Sequence, residues 1–293
     1  MMEKMIIGQA EEMNPMHRST MEDCCVHRAP EFFKKSGSKR SWNFLGVYDG
    51  HGGRDQVDFL EDALVENVRQ ELFAEDDAPV LERIERAFLL TDIQSYQEGL
   101  MTSGATVICC LIECSTVQVK STDSSTDKDH MFTIYTANCG DARAVICTKD
   151  GKSHRLSCDH KAEDPSEIKR IEQAGGFVLR NRVLGILAVS RSLGDHGMKD
   201  FVIGRPHLSE FNIKIASTEV EHAIFPFVIL ACDGVWDVLS DQEAVDIVRE
   251  YICKNSTSNT NLNELSDTAA QTIVDEAMKR GSTDNISIII GWF

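Results

Sequence analysis

The stretch Trp42-Asn43-Phe44-Leu45-Gly46-Val47-Tyr48-Asp49-Gly50-His51-Gly52-Gly53 decides how this chain is read. Its first seven residues are almost wholly apolar, as in a strand buried on both faces, and it runs out into an acid, a histidine and three glycines. Directly after it, Val57, Leu60, Leu64, Val68 and Leu72 recur at steps of three and four, which predicts one face of a helix.

Working outward, similar runs predict strands at Ala105 to Ile112, Phe132 to Ala137, Ala144 to Cys147, Phe227 to Ala231 and Ile286 to Trp292. Helical stripes recur at Leu81, Ile84, Phe88, and at Ile168, Ile171, Ala174, the latter closed by Gly175-Gly176. They return at Ala244, Val248, Tyr251 and at Leu265, Ala269, Ile273, Ala277. Strands thus come in groups interrupted by helix pairs at about residues 55 to 98 and 241 to 280, not in strict alternation. The expected fold class is α+β: antiparallel sheets stacked face to face, with a helix pair covering each outer face. The polar segments Ser115 to Asp129 and Ser256 to Asn263 read as loops.

Composition narrows the function. With 293 residues, 42% hydrophobic and 26% charged, the chain has the make-up of a globular domain. Its 30 Lys and Arg against 47 Asp and Glu give a net charge of −17, which repels nucleic-acid phosphates and anionic lipid. The longest apolar run, Ala223 to Cys232, contains Pro226 and is about half the roughly 20 residues a spanning helix needs. Met1 to Glu12 lacks the apolar core of a secretory signal, and Met2 stands where myristoylation needs glycine. A cytoplasmic or nuclear location is expected. The ten cysteines include the neighbours Cys24-Cys25 and Cys109-Cys110 and no Cys-x-x-Cys, so reduced, mostly buried thiols are expected. Lys34, Lys35, Lys39 and Arg40 around Ser36-Gly37-Ser38 read as a charged hairpin loop.

The chemistry lies where strands end. Asp49-Gly50 follows one apolar run, and Asp233-Gly234, with Asp237 four residues on, follows another. Cys139-Gly140-Asp141 ends a third, and Asp284-Asn285 immediately precedes a fourth. One Asp beside Gly is usually a turn, but four carboxylate sites at the ends of buried strands need counter-charge. Lys and Arg are scarce beside them apart from Arg143, so a hard, oxygen-binding cation such as Mg2+ or Mn2+ is the natural partner. Arg18-Ser19-Thr20-Met21-Glu22-Asp23 reads either as a surface ion-pair cluster or as an anion clamp, its Arg fork on phosphate and its carboxylates on metal.

Eight segments in order, Arg18 to Asp23, Val47 to Gly53, Ser103 to Thr106, Asn138 to Arg143, Asp159 to Lys161, Leu187 to Asp195, Cys232 to Val238 and Thr283 to Ser287, resemble the type 2C metal-dependent protein phosphatases. The likeness runs over about residues 15 to 291 and is greatest to compact, single-domain fungal-type members. It implies one domain spanning 1–293 with a four-layer αββα sandwich and a metal centre at one edge of the sheets. It also implies a substrate-facing flap at about 161–185.

Carried over, the resemblance has Asp49 bridge two ions, Asp233 and Asp284 hold the first, and Gly50 through its carbonyl, with Glu22, complete the second. Asp23 holds a water of that centre, and Asp141 and Asp237 serve a weaker third ion. Arg18 holds phosphate and His51 protonates the leaving alkoxide. Ala142 replaces a usual Ser, and Leu184 and Ile186 flank Gly185 where Asn is common; none of these removes a ligand.

The implied reaction is hydrolysis of phosphoserine and phosphothreonine in proteins by a water activated between two Mg2+ or Mn2+ ions. No cysteine has an Arg six positions later, as a Cys-based phosphatase would require. Two alternatives differ in class. A phosphatase-fold scaffold that binds signalling proteins without turnover would have lost part of the acid set, which here is complete; a two-metal nuclease is disfavoured by the charge. Phosphoprotein substrates, no nucleic acid or membrane partner, and a monomer are expected.

Overall fold

The computed structural model describes residues 5–33, 40–118, 128–215, 226–256 and 261–293, with 116–118 and 128–129 as backbone only. Lys34, Lys35, Lys39 and the centres of both polar segments lie outside the described residues. Thirteen strands are described: β1 Ile6–Glu12, β2 Cys24–Arg28, β3 Ser41–His51, β4 Gly104–Gln118, β5 Lys128–Cys139, β6 Arg143–Cys147, β7 Ser153–Arg155, β8 Val178–Leu179, β9 Arg182–Val183, β10 Leu193–Gly194, β11 His207–Ile215, β12 Phe227–Ala231 and β13 Ile286–Trp292. The helices are α1 Asp55–Leu72, α2 Val80–Gln97, α3 Pro165–Gln173, the single turn α4 Asp233–Trp236, α5 Asp241–Asn255 and α6 Leu262–Lys279.

One sheet has the order β1-β13-β12-β6-β7 and the other β11-β5-β4-β3-β2, both antiparallel. Side chains alternate faces along each strand, and the apolar runs bury both. Leu45 and Val47 of β3 face Val228, Leu230 and Ile289 between the sheets. Their neighbours Phe44 and Tyr48 turn outward onto Val57, Leu60, Leu64 and Val68 of α1 and Ile84 and Phe88 of α2. Ile288 and Ile290 turn the other way, onto Val245 and Val248 of α5 and Ala269, Ile273 and Ala277 of α6. The result is the expected four-layer αββα sandwich. The predicted stripes are the buried faces of its helices.

All ten thiols are free, and seven of them are buried. Among the described residues no helix is long and apolar enough to cross a membrane. Strands β1, β2 and β11 escape the apolar-run criterion, and each lies at a sheet edge. Edge strands are half solvated and carry polar residues, as in β11, where Ser209, Glu210, Asn212 and Lys214 intervene.

The segment expected as a flap is a small unit of its own. Asp164 caps α3 by accepting from the Ser166 and Glu167 N–H groups, with Pro165 at the first helical position. Ala162, Ile171, Val183 and Val202 form a separate apolar cluster beneath the β8–β9 hairpin.

β1 lies so close to α6 that a Cβ on Gly8 would come within 2.2 Å of the Ser266 backbone, which cannot swing away. Gly8→Ala is expected to cost about 1–3 kcal/mol, the range for overpacking. Gly197→Ala, with nothing within 4 Å of its Cβ position, should be near neutral. Paired urea titrations of the two variants check this.

Candidate metal centre

β3 does not stop at Tyr48. It stays paired with β4 through Asp49, Gly50 and His51, opposite Thr106, Ala105 and Gly104. Asp49 is therefore held by a sheet ladder and not by a loose turn. Antiparallel pairing brings the ends of β3 and β5 beside the start of β4, and the end of β12 beside the start of β13. The four predicted strand ends are thus gathered at one rim of the sandwich. After β5 the chain turns through Gly140 at φ +115°, where a Cβ would sit 2.3 Å from Thr106 Cβ, and this places Asp141 inward.

The amino-terminal segment is stitched to this rim by Asn285, from the Thr283 to Ser287 segment, and by Asn14 and Arg54, which lie in none of the eight segments. Asn285 Oδ1 accepts from the Glu22 N–H at 2.9 Å, and its Nδ2 donates to the Met13 and Thr20 carbonyls at 2.8 and 3.0 Å. Asn14, in the left-handed region at φ 58°, donates to the Ser282 and Asp284 carbonyls at 2.8 and 3.1 Å. Arg54 Nη1 donates to the Met21 and Asp23 carbonyls, each at 2.9 Å. The Glu22 carbonyl then lies against Gly50, where a Cβ would approach it to 2.6 Å. Only glycine fits there. Glu22 Oε2 accepts from the Gly53 N–H at 3.2 Å.

The carboxylates feel one another. Burial pushes Asp49 well above the usual carboxylate range, with repulsion from Asp23, Asp233, Asp141 and Asp284 added. Burial does the same to Asp233, joined by Asp141, Asp284, Asp237 and Asp23. It pushes Asp23 up to about 6 even though Ser287 and Cys232 hydrogen-bond to it, the Ser287 hydroxyl at 2.7 Å. It pushes Asp141 to about 6 against the pull of Lys161. Six predicted acids therefore share one rim, and each raised value is the free-energy cost of holding a negative charge there without enough positive charge.

Two cations reach the rim: Arg18, expected there on phosphate, and Lys161, expected only as the start of the flap. Arg18 Nη2 pairs with Asp284 Oδ2, and its Nε donates to the Thr283 carbonyl at 3.2 Å. Lys161 Nζ lies 2.9 Å from Asp237 Oδ1. Arg143, the one cation expected near Asp141, instead pairs with Asp159 and Asp241 and lies over the Trp236 ring at 5.1 Å, bracing the α4 turn that carries Asp233. The reason is geometric: Arg143 begins β6, and both of its partners flank that strand's outer end. Among the described residues no three His, Cys, Asp or Glu side chains form a ready-made ion cage. The donor chemistry still suits a hard divalent cation: Asp23, Asp49, Asp141 and Asp233 are oxygen donors held together against their own repulsion, with no thiolate or imidazole among them.

His51, at the end of β3, points its Nε2 to Asp195 Oδ2 at 2.7 Å. Burial works against ionisation of Asp195, but the bonds from His51 and Ser192 hold its carboxyl below the usual range.

A family model described as Protein phosphatase 2C matches residues 9–286. The chain is 34% identical to Protein phosphatase 2C homolog 1 of Saccharomyces cerevisiae, over 97% of this chain and 92% of that one. It is also 34% identical to Protein phosphatase 2C homolog 1 of Schizosaccharomyces pombe, over 97% of this chain and 72% of that one. Among solved structures, a phosphatase from a pathogenic strain of Toxoplasma gondii superposes with a TM-score of 0.74 at 22% identity, covering 99% of this chain and 95% of that one, a likeness of fold.

The raised carboxyls fix a pH dependence. An acid whose folded pKa is raised stabilises the fold while it keeps its proton, and that contribution is lost as pH rises through the folded value. For Asp23 and Asp141 the loss runs from about 4 through about 6, and for Asp49 and Asp233, raised well above the ordinary carboxylate range by burial, it has the same sign. His160, lowered to about 4 by burial first and then by Arg191, acts oppositely, but only below its ordinary 6.5. As pH rises from 4 to 8 the metal-free chain should therefore lose the contributions of Asp23 and Asp141, and Asp49→Asn should gain stability over wild type. Denaturant titrations in EDTA at the two pH values measure both effects.

Proposed function

The chain belongs to the protein phosphatase 2C family, and on that premise we propose that it hydrolyses phosphoserine and phosphothreonine in proteins with two Mg2+ or Mn2+ ions and a weaker third. The observation that supports this most is the gathering of Asp23, Asp49, Asp141 and Asp233 at one rim against their own repulsion. Asp49, Asp233 and Asp284 would hold one ion, Asp49, the Gly50 carbonyl and Glu22 the second, and Asp141 and Asp237 the third. When bound, the ions neutralise charge on the transferring phosphoryl group and make the attacking water a nucleophile near neutral pH.

The protein's own groups do the rest. Asp23, anchored by the Ser287 hydroxyl, orients water at the rim. Arg18, whose side chain is 48% exposed, can turn from Asp284 to grip an incoming phosphate dianion in a two-pronged contact. His51 carries a proton for the serine or threonine oxygen as it leaves. Lys161 ties the segment that begins the flap to Asp237, so the flap and the proposed third-ion ligands are one mechanical unit.

The completeness of the acid set favours turnover over a scaffold that only binds. Phosphoproteins are the proposed substrates, met by a monomer in the cytoplasm or nucleus, and the charge of −17 favours neither nucleic acid nor anionic membrane as partner.

Turnover of a phosphothreonine peptide is expected to vanish in EDTA and return with Mn2+ or Mg2+; full turnover in EDTA would refute the metal reading. Arg18→Ala should raise KM for the peptide and the inhibition constant of inorganic phosphate by roughly tenfold or more, the size of a charged hydrogen bond, with a smaller change in kcat. Asp141→Ala or Asp237→Ala should leave two tightly bound ions but weaken the response of turnover to millimolar metal, as paired calorimetry and metal titrations would show.

A further inference from the structure

His51 is held by a carboxylate 144 positions away in sequence. An ionised carboxylate only accepts, so in the 2.7 Å contact the hydrogen sits on His51 Nε2 and points at Asp195 Oδ2. Asp195 is 7% exposed and adopts the left-handed region at φ 49°, which a residue with a side chain rarely does. Three further contacts hold it in that conformation. Its N–H donates to the Ser103 carbonyl at 3.1 Å, its carbonyl accepts from the Met198 N–H at 2.8 Å, and its Oδ2 also accepts from the Ser192 hydroxyl.

The surroundings are cut to the pair. At Gly104, opposite His51 on β4, a Cβ would come within 2.2 Å of Asp195 Oδ2 and 2.5 Å of His51 Nε2. The preceding residue, Gly194, pairs with Gly104 in the β10–β4 ladder at φ +83°. There a Cβ would sit 2.5 Å from the Ser103 carbonyl oxygen. A side chain at Gly104 would wedge the imidazole and carboxylate apart, and one at Gly194 would clash with the Ser103 carbonyl that anchors the Asp195 N–H. Backbone strain of this kind clusters at functional sites.

We propose that Asp195 is a positioning residue for proton delivery: by accepting the Nε2 hydrogen it fixes the plane and tautomer of the His51 ring and leaves Nδ1 as the nitrogen that serves the leaving oxygen. This rests on the reading of His51 as the group that protonates the alkoxide. In the step, the bond from the water oxygen to phosphorus forms and the bond from phosphorus to the seryl or threonyl oxygen breaks, its electron pair staying on that oxygen. The proton on Nδ1 moves to that oxygen, the water's two protons stay with the phosphate, which gives one up to solvent, and the ring ends neutral with its Nε2 hydrogen still on the nitrogen and directed at Asp195. A ring free to turn would present the wrong nitrogen or edge in most of its orientations.

The test compares His51→Gln, Asp195→Asn, Asp195→Ala and the double variant His51→Gln/Asp195→Asn in the full chain with saturating Mn2+. The substrates are a phosphothreonine peptide, whose alkoxide leaves poorly, and p-nitrophenyl phosphate, whose phenolate needs little help. Each Asp195 variant is expected to lower kcat on the peptide by about ten- to a hundredfold, with far smaller losses on p-nitrophenyl phosphate. The double variant should be no slower on the peptide than His51→Gln alone.

Selective loss in His51→Gln with equal losses on both substrates in the Asp195 variants, or losses that multiply in the double variant, would overturn the role of Asp195 and leave that of His51 standing. Equal losses in His51→Gln would instead remove the underlying reading, and the proposal with it. Nitrogen-15 spectra of histidine-labelled wild-type protein, with the His51 signal identified by its absence in His51→Gln, give a readout that needs no Asp195 variant to fold. In the neutral form of the His51 ring the hydrogen is expected on Nε2, and its presence on Nδ1 in that form would overturn the proposal.

Discussion

Repulsion among buried carboxylates is the constraint around which the rest of this molecule is arranged. Asp23, Asp49, Asp141 and Asp233 are each pushed toward the protonated form, first by burial and then by charged neighbours. Left to itself such a cluster would spread into solvent. Here the sheets prevent it. Asp49 is fixed by ladder pairing to Thr106, Asp233 by the turn that follows β12, and Asp23 by the carbonyl that Arg54 grips and the hydroxyl of Ser287. The scaffold stores an unfavourable electrostatic arrangement, which on the proposed reading a divalent cation would relieve.

The sandwich can carry that strain because its core is continuous on both sides of each sheet. Neighbouring residues of β3 face opposite cores, one between the sheets and one under α1 and α2, and β13 repeats the pattern under α5 and α6. Strand ends set in such a core cannot drift by much without opening close-packed contacts. The Asn14 and Asn285 bridges extend the same rigidity to a segment with no regular structure, fastening Met13 to Glu22 onto the start of β13. Arg143, stacked on Trp236 and paired with Asp159 and Asp241, ties β6, the loop before the flap and the α5 start around the turn that presents Asp233.

Positive charge is rationed at the rim. Arg18 and Lys161 each neutralise one acid, Asp284 and Asp237, and both are partly exposed and able to move. Among the described residues Asp23, Asp49, Asp141 and Asp233 have no such direct partner, although Lys161 draws on Asp141 from a distance. That division separates the acids that already have a counter-charge from those that, on the proposed reading, would take a cation.

From the linear chain alone came the six strongest strands, the faces of five helices, the two-sheet, two-helix-layer architecture and the acids at the strand ends. All of these are local: alternating or three-and-four spacing records which face is buried, and an Asp after a buried run records where a strand meets the rim. The edge strands β1, β2 and β11 stayed hidden because half-solvated strands lose the apolar pattern. The pairing of His51 with Asp195, of Arg18 with Asp284 and of Lys161 with Asp237, the true partners of Arg143, and the stitching by Asn14 and Asn285 were decided only by the tertiary structure. Each joins residues on separate elements, and a hydrogen bond or ion pair leaves no periodic trace in a sequence. Its partners are set by where antiparallel ladders and packed helices bring the backbone, not by which residues stand beside one another in the chain.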